Sequence, residues 1–215
     1  MDLRQIPIFK NLSDEDLKTL TQKTKFEEKV FEKDMQIFTV GEVTGDMYYL
    51  IEGSILVYKI DPNGKRFIIR KFNKPSIFGE VYSYFEEAFD FSAQAETKCK
   101  VLIIHDFKKL FETNSPYNFL ISYINLVSKK CLQLSRSNQI TSQSTLRQKI
   151  AKYLLIHEEN GLVKIDLSRE EWADILATTR PSLSRELSKM IDDGLIEIKD
   201  KNIKIISRSK IADII

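Results

Sequence analysis

The residues best suited to specific chemistry lie in one short stretch, residues 178–190, with the sequence TTRPSLSRELSKM. Three of its apolar residues recur at helical spacing and would face a core: Leu183, Leu187 and Met190. Arg185 and Lys189 then lie on the opposite face, with Arg180 in the first turn. Arginine binds guanine edges through two hydrogen bonds, and serines are short enough to let a helix sit deep in the major groove. The pattern therefore indicates a helix that reads DNA bases.

The neighbouring residues strengthen this interpretation, because an isolated helix with such charges is more often an ordinary solvated face. Ser168 and Glu171 form a capping-box pair that opens a preceding helix, and Gly194 ends the second helix. Two short β runs then bracket the turn at residues 199–202. Helix, tight turn, helix and β-hairpin is the order of a winged helix-turn-helix. The predicted DNA-contacting residues are Thr179, Arg180, Ser182, Ser184, Arg185 and Lys189.

Residues that commonly carry catalysis or bind metals are sparse. The chain has two histidines, His105 and His157, and two cysteines, Cys99 and Cys131. They form no cluster with metal-ligand spacing, which argues against a metal site and against a cupin-type enzyme. An iron–sulfur cluster needs about four thiolates, more than this chain contains. The sequence also lacks a nucleophile elbow, a P-loop and a dinucleotide fingerprint, so we predict a protein that is not an enzyme.

The overall composition is that of a globular protein of one large or two modest domains, with 215 residues, 42% hydrophobic and 30% charged. No apolar run approaches the roughly 20 residues of a membrane span, and the amino terminus lacks a signal-peptide pattern. Two cysteines are too few for a disulfide framework. We therefore expect a cytoplasmic protein without a membrane partner. Its net charge is only +2, so DNA binding has to depend on local placement of cations.

The amino-terminal segment reads as mostly β. After a helix opened by a capping-box pattern at Ser13 and Asp16, strand-like runs follow at residues 35–40, 47–51, 54–60, 67–71 and 100–104. Asn63-Gly64 between two of these runs is a strong hairpin signal. Short strands at close spacing indicate a small antiparallel barrel or roll. We predict an α+β chain in which residues 1–113 form this barrel as an effector domain.

A long helix is predicted at residues 114–139, with Ser115 as its cap and Pro116 in its first turn. An apolar seam with alternating spacings of four and three follows, as two helices crossing at a small angle require: Leu120, Ile124, Val127, Cys131 and Leu134. A second stripe runs through Phe119, Tyr123 and Leu126. One stripe can face the chain's own domain and the other a second copy, the alternative being a monomer that buries one wide face. We predict that the seam forms a homodimer.

A polar stretch at residues 135–144 has the composition of a hinge or linker. Thr145 and Gln148 then form a capping-box pair for the next helix. We predict that residues 140–215 form the winged helix-turn-helix domain.

In this order the segments resemble the CRP/FNR family of bacterial transcription regulators, named for the cyclic-AMP receptor protein and the fumarate–nitrate regulator. The resemblance covers nearly the whole chain. It includes GEVTGDMYYLIEGSILVYKIDPNGK at residues 41–65, IFGE at residues 77–80 and TTRPSLSREL at residues 178–187. It implies an allosteric homodimer that binds a palindromic operator, with RNA polymerase as a further partner. It also implies that Arg180 and Arg185 read bases.

The sequence departs from the family pattern at three places, one of which is Leu134-Ser135, where cyclic-nucleotide binders have a polar pair that touches the base. Pro181 stands where members often have an acidic residue after the first arginine, so we expect a different operator. Cyclic-nucleotide binders hold the phosphate with an Arg-Ser or Arg-Thr pair, and Phe91-Ser92 aligns with it. A phenylalanine cannot neutralise a phosphodiester, so we expect no response to cyclic AMP. The predicted effector pocket consists of Glu80, Tyr82, Phe91, Ser92, Leu134 and Ser135.

Other effectors and another protein class remain as alternatives. His105 alone is a weak candidate for a haem ligand, and the aromatic residues around Phe91 suit either a core or a pocket for a small aromatic molecule. The alternative from another class is a cyclic-nucleotide-binding regulatory subunit that does not bind DNA. The winged helix and the missing phosphate-binding arginine argue against it. Since the candidate haem ligand is weak and the thiolates are too few for an iron–sulfur cluster, we predict no cofactor. The sequence leaves open the effector, the operator and the direction of regulation.

Overall fold

The structure is a computed structural model that describes residues 2–64 and 66–215. The chain divides into two compact units, one up to Leu126 and one from Val127 onward. The strands of the first unit are β1 (Phe26–Phe31), β2 (Gln36–Phe38), β3 (Met47–Glu52), β4 (Ile55–Ile60), β5 (Arg66–Phe72), β6 (Ser76–Phe78), β7 (Ser92–Ala95) and β8 (Cys99–Ile104). They form two antiparallel sheets, in the orders β1-β8-β3-β6 and β2-β7-β4-β5. The predicted α+β class with an antiparallel roll is confirmed.

Short helices pack beside these strands: α1 (Asp14–Lys23), α2 (Glu80–Phe85) and 3-10 turns at Leu3–Gln5 and Phe107–Phe111. The capping box of α1 has the predicted form, because the Ser13 hydroxyl accepts from the Asp16 amide and the Asp16 carboxylate accepts from the Ser13 amide. Each bond satisfies an amide that a helix start otherwise leaves unpaired.

Two apolar cores share the strands of the first unit. Tyr48 and Leu50 of β3 face the core between the two sheets. Met47 and Tyr49 face the opposite side, where the amino-terminal helices cover the sheet. Successive strand side chains point to opposite faces, and both faces are covered here. This explains why the run MYYLI reads as continuously hydrophobic instead of alternating.

The predicted hairpin joins β4 to β5. The Gly64 amide donates to the Asp61 carbonyl oxygen at 2.9 Å, and the Asp61 side chain accepts from the Asn63 amide at 2.9 Å. Gly64 has φ +80°, which glycine adopts without steric cost. The Asn-Gly signal therefore marked a real turn.

The long helix α3 (Tyr117–Thr141) has 25 residues. Ser115 was predicted to cap it, but its hydroxyl donates to the carbonyl oxygens of Leu110 and Glu112 in the preceding turn. Pro116 directly precedes the helix, and its carbonyl oxygen accepts from the Phe119 amide at 3.0 Å.

The hinge prediction for residues 135–144 is wrong over most of its length, because α3 continues to Thr141 and only residues 142–145 are non-helical. Two contacts explain the longer helix. Ile140 is buried in the core of the second unit, and the Thr141 hydroxyl donates to the Ser137 carbonyl oxygen at 2.9 Å. Burial of one isoleucine outweighs the weak helix propensity of the serines around it.

The second unit is a compact helical domain with a small sheet. Its elements are α4 (Leu146–His157), β9 (Leu162–Lys164), α5 (Arg169–Ile175), α6 (Arg180–Asp192), β10 (Ile196–Lys199), β11 (Asn202–Ile205) and α7 (Arg208–Ala212). The sheet is antiparallel in the order β10-β11-β9. The capping boxes predicted for Thr145 with Gln148 and for Ser168 with Glu171 are both present. The winged helix-turn-helix prediction is thus confirmed.

Candidate nucleic-acid interface and effector cassette

Helix α6 presents one buried and one exposed face. Leu183, Leu187 and Met190 are buried in the core of the second unit. The helix begins after Thr179, whose hydroxyl accepts from the Ser182 amide, and Pro181 occupies its first turn at no cost because first-turn amides are unpaired. The buried stripe therefore fixes which side chains α6 turns outward.

The three cations of α6 lie on its exposed face. Arg180 and Lys189 have side chains 62% and 68% exposed, and Arg185 is exposed with its guanidinium 3.4 Å from the Ser182 hydroxyl. Their contacts within the chain are weak, since Arg180 lies 3.6 Å from Glu170 and Lys189 lies 4.0 Å from Glu186. A solvent-exposed pair such as Arg180 with Glu170 contributes about 0–1 kcal/mol, and the contact of Lys189 is longer still. The three side chains are thus available to an incoming polyanion.

Short hydroxyl side chains fill the space between these cations. Ser184 and Ser188 are exposed, and the Ser188 hydroxyl donates to the Ser184 carbonyl oxygen at 3.2 Å. Ser182 is half-buried and accepts from the Thr179 hydroxyl at 3.0 Å. A face built this way lets the helix backbone approach a groove closely, and it leaves arginine as the longest donor on the surface.

One carboxylate of α6 is held away from the exposed face by a residue that the sequence reasoning missed. Arg147 of α4 donates to Glu186 at 2.6 Å and to Asp193, the carboxyl-terminal cap of α6, at 2.7 Å. The hydrogen bond to Glu186 raises the pKa of Arg147 above its ordinary value. These residues are 39 and 46 positions apart in the chain, so local sequence patterns carry no signal of this pairing.

The small sheet beside α6 carries further cations. Lys199, Lys201 and Lys204 are exposed on or between β10 and β11. The connecting turn places Asp200 at φ +56°, a conformation that aspartate tolerates better than most residues. This hairpin, which follows α6 in the chain, is the wing of the fold.

The exposed face of α3 carries the predicted dimer seam. Ile124 and Leu134 are 57% and 62% exposed, and Cys131 is also exposed. Val127 is half-buried. Leu120 differs from the others, because it packs partly against the helix-covered core of the first unit.

The second apolar stripe of α3 faces the first unit. This agrees with the predicted arrangement in which one stripe packs on the chain's own domain. Phe119 is fully buried, and Tyr123 and Leu126 pack against the same core. The ring of Tyr123 lies 4.7 Å from that of Phe111. Burial, and secondly the negative charge of Glu80, raises the pKa of the Tyr123 phenol.

The effector cassette, residues 77–92, keeps a tight strand-to-helix turn. Gly79 has φ +78°, and a Cβ there would lie 3.1 Å from the Tyr48 ring, so both conformation and space favour glycine. Glu80 follows at the start of α2 with only 4% of its surface exposed.

Aromatic rings fill the cassette. The buried rings of Phe38 and Phe89 stack with their centroids 3.8 Å apart. The ring of Phe91 lies 5.2 Å from that of Tyr82 and 5.9 Å from that of Phe38. The Ser92 hydroxyl accepts from the Val40 amide at 3.0 Å. The pocket residues Tyr82, Phe91 and Ser92 are thus brought together, whereas Leu134 and Ser135 lie exposed on α3 in the second unit.

A carboxylate links the cassette to strand β4. Asp90 accepts from the Tyr82 hydroxyl at 2.6 Å and from the Lys59 ammonium at 2.8 Å. Burial and Asp90 together raise the pKa of Tyr82 to about 12. Lys59 and, secondly, Tyr82 lower the pKa of Asp90. Asp90 therefore ties the cassette to Lys59 of β4.

The histidine considered as a haem ligand has partners on both sides. His105 lies 3.1 Å from Asp46 through Nδ1 and 3.2 Å from Glu27 through Nε2, so both ring nitrogens are engaged. Within residues 2–64 and 66–215, no group of three or more His, Cys, Asp or Glu side chains could hold a metal ion. None of the helices in these residues is long and apolar enough to cross a membrane.

Comparison with known proteins assigns both units. Residues 28–114 match the cyclic nucleotide-binding domain, and residues 148–214 match the Crp-like helix-turn-helix domain. The cAMP-activated global transcriptional regulator CRP of Escherichia coli is 27% identical over 185 residues, which cover 77% of this chain and 82% of that protein.

Solved structures share the fold. The c-di-GMP responsive global regulator CLP of Xanthomonas campestris aligns with TM-score 0.56 and 19% identity, covering 91% of this chain and all of that one. FixK2 of Bradyrhizobium japonicum aligns with TM-score 0.53 and 17% identity over 88% and 96% of the two chains. With both domains matched in the same order, the chain belongs to the CRP/FNR family of DNA-binding transcription regulators.

Proposed function

We propose that this regulator works as an allosteric homodimer that places one α6 of each subunit in the major groove of a palindromic operator. The observation that carries the proposal is the exposed face of α6, where Arg180, Arg185 and Lys189 project while Glu186 is tied to Arg147. A symmetric dimer presents this face twice, and its two half-sites lie about one helical turn apart.

The side chains of α6 take different roles in this complex. Arg185 lies near the middle of the helix and Arg180 at its beginning, so both reach base edges and act as readers. Thr179, Ser182 and Ser184 contribute short hydroxyl contacts to sugar, phosphate or base. Lys189 lies one turn beyond Arg185 and binds backbone phosphate, which adds affinity without sequence preference.

The dimer forms through α3. Its seam consists of Leu120, Ile124, Val127, Cys131 and Leu134. Ile124, Cys131 and Leu134 are exposed in the single chain, and a second helix would cover them. The second stripe of α3 packs against the first unit, which supports the seam as the surface for a partner. Members of this family act as dimers, which supports the same assignment.

The effector domain does not respond to cyclic AMP. Phe91 supplies no charge for a phosphodiester, and its ring packs among Tyr82, Phe38 and Phe89. The Lys59 ammonium nearby is already paired with Asp90, so it is not free to neutralise a phosphate. Although the Escherichia coli relative is named as cAMP-activated, these contacts favour a different effector or none.

The roles of the three segments follow from this scheme. Residues 1–113 form the effector domain, residues 114–139 the dimerisation helix and residues 140–215 the DNA-binding domain. An effector that binds one arrangement of the two α3 helices more tightly shifts the population toward it. The regulator then acts in the cytoplasm, with RNA polymerase as a further partner at the promoter.

Selection from a random DNA pool tests the proposal. The purified protein should enrich a two-fold symmetric motif, and a gel-shift titration with competitor DNA should give at least about 10³-fold preference for it. Enrichment of an unsymmetric site would contradict the dimer arrangement, and the absence of any enriched motif would contradict sequence-specific binding.

A further inference from the structure

Arg147 holds the recognition helix at two points. Its Nε donates to Glu186 in the middle of α6, and its Nη1 donates to Asp193 at the end of α6. The Glu186 side chain is 17% exposed and that of Arg147 is 32% exposed, so this pair is better shielded from water than the other ion pairs of α6. Charge-assisted hydrogen bonds of this length are stronger than hydrogen bonds between neutral groups.

The same contact decides which cation Glu186 neutralises. Its other carboxylate oxygen lies 4.0 Å from the Lys189 ammonium, one turn further along α6. At this i,i+3 spacing the two side chains are neighbours and can pair. Arg147 competes with Lys189 for the carboxylate and, at 2.6 Å, has the much shorter contact.

We propose that Arg147 is a positioning residue for DNA binding, which keeps Lys189 free for phosphate by holding the Glu186 carboxylate on the α4 side of the helix. The inference rests on the proposed DNA-binding role of α6. Without Arg147, Glu186 would pair with Lys189, and its charge would face the DNA backbone without a partner from α4. Because α4 begins directly after the non-helical residues 142–145, the contact also ties α6 to the first helix that follows this break.

The test compares Arg147→Met with the double variant Arg147→Met/Glu186→Gln. Affinity for the selected operator is measured at several salt concentrations. We expect Arg147→Met to weaken binding about 3–30-fold and to reduce the slope of log K against log salt by about 1 for each α6, as the loss of one phosphate contact would. Adding Glu186→Gln removes the competing carboxylate and should restore the parent slope.

Stability is followed in parallel through the fluorescence of Trp172, the single tryptophan of the chain, which is buried in the core of the second unit. If Arg147→Met is unfolded at the assay temperature, Arg147→Gln replaces it. This variant keeps a donor for Glu186 but not the charge. Operator affinity and the salt slope should therefore decrease in the same direction, but by less.

Arg208→Met is the matched control, because it breaks the 2.9 Å pair of Arg208 with Glu158 in the same unit without touching α6. Its salt slope should equal that of the parent. An unchanged slope in the folded Arg147 variant, or a loss that Glu186→Gln does not reverse, would overturn the inference. If the parent binds no DNA specifically, the proposed function fails instead, so the two failures are distinguishable.

Discussion

The recognition helix and the effector cassette both resemble the family strongly, yet they retain different parts of it. On α6 the two proposed base readers, Arg180 and Arg185, project from a face whose opposite side is packed in the core. The cassette keeps a tight turn, with Gly79 at φ +78° before α2, but in our proposal Phe91 stands where the family has its ligand-binding charge. A turn that only glycine adopts easily is needed by the fold whether or not a ligand binds. We therefore expect the cassette to keep the backbone turn of the family without its ligand.

The largest expected effect concerns α3, which connects the two regions. Val127→Lys would place two cations against each other in an apolar seam, at a cost that a helix pair cannot offset. Sedimentation should show a monomer at concentrations where the parent is a dimer. Asn125→Lys adds the same charge at an exposed position off the seam and should leave the dimer intact. A dimer that survives Val127→Lys would place the interface elsewhere.

A second prediction tests whether aromatic rings fill the cassette. Phe89→Ala removes a buried ring stacked on Phe38 and should cost about 3–5 kcal/mol in urea unfolding. Phe85→Ala, at a ring 62% exposed, should change stability by only about 0.5 kcal/mol.

An apolar cavity stays dry and accepts a benzene molecule. Benzene should therefore raise the Tm of Phe89→Ala and leave that of the parent unchanged. A comparable rise in the parent would mean that the cassette is an open pocket.

A smaller effect is expected from the acid nearest to Arg180. The Glu170 carboxylate lies 3.6 Å from that guanidinium, and both side chains are largely exposed, so Glu170→Gln costs little stability. The substitution frees Arg180 and removes the repulsion between the Glu170 carboxylate and the DNA phosphates. Operator binding measured by gel shift should therefore tighten about 2–5-fold, a gain within the range of an exposed ion pair. Asp174→Asn on the same helix is the control. Weaker binding after Glu170→Gln would indicate that Glu170 itself contacts the DNA.

The smallest expected effect is that of cyclic AMP. Calorimetry at millimolar nucleotide should detect no binding to the parent, since Phe91 cannot neutralise the phosphate. Phe91→Arg should not restore binding alone, because Asp90 would compete for the new guanidinium. A micromolar dissociation constant for the parent would contradict this interpretation of the cassette.

Much of the fold was predictable because local signals were strong. The capping boxes at Ser13, Thr145 and Ser168 mark true helix starts. The Asn63-Gly64 turn and the wing hairpin were also found where the pattern placed them. In each case residues close in sequence make the contact, so the pattern and the physical cause coincide.

Other features depend on contacts between residues far apart in the chain, and these features could not be predicted from the sequence. Strand β1 reads FEEKVF, with three charged residues of six, and becomes a strand through pairing with β8 about 70 residues later. Helix α3 extends to Thr141 because Ile140 is buried in the core of the second unit. For the site, the exposed cations of α6 were predictable from helical spacing, whereas the contact of Arg147 with Glu186 was not.

The most direct test of the account compares Arg185→Ala with Lys189→Ala on a selected operator and on one with a substituted base pair, at two salt concentrations. Arg185→Ala should cost about 1–3 kcal/mol per half-site and shrink the preference between the two DNAs. Lys189→Ala should weaken both DNAs alike and flatten the salt dependence. If Arg185→Ala instead weakens both DNAs equally, Arg185 holds only the backbone and the reading face of α6 has been assigned wrongly.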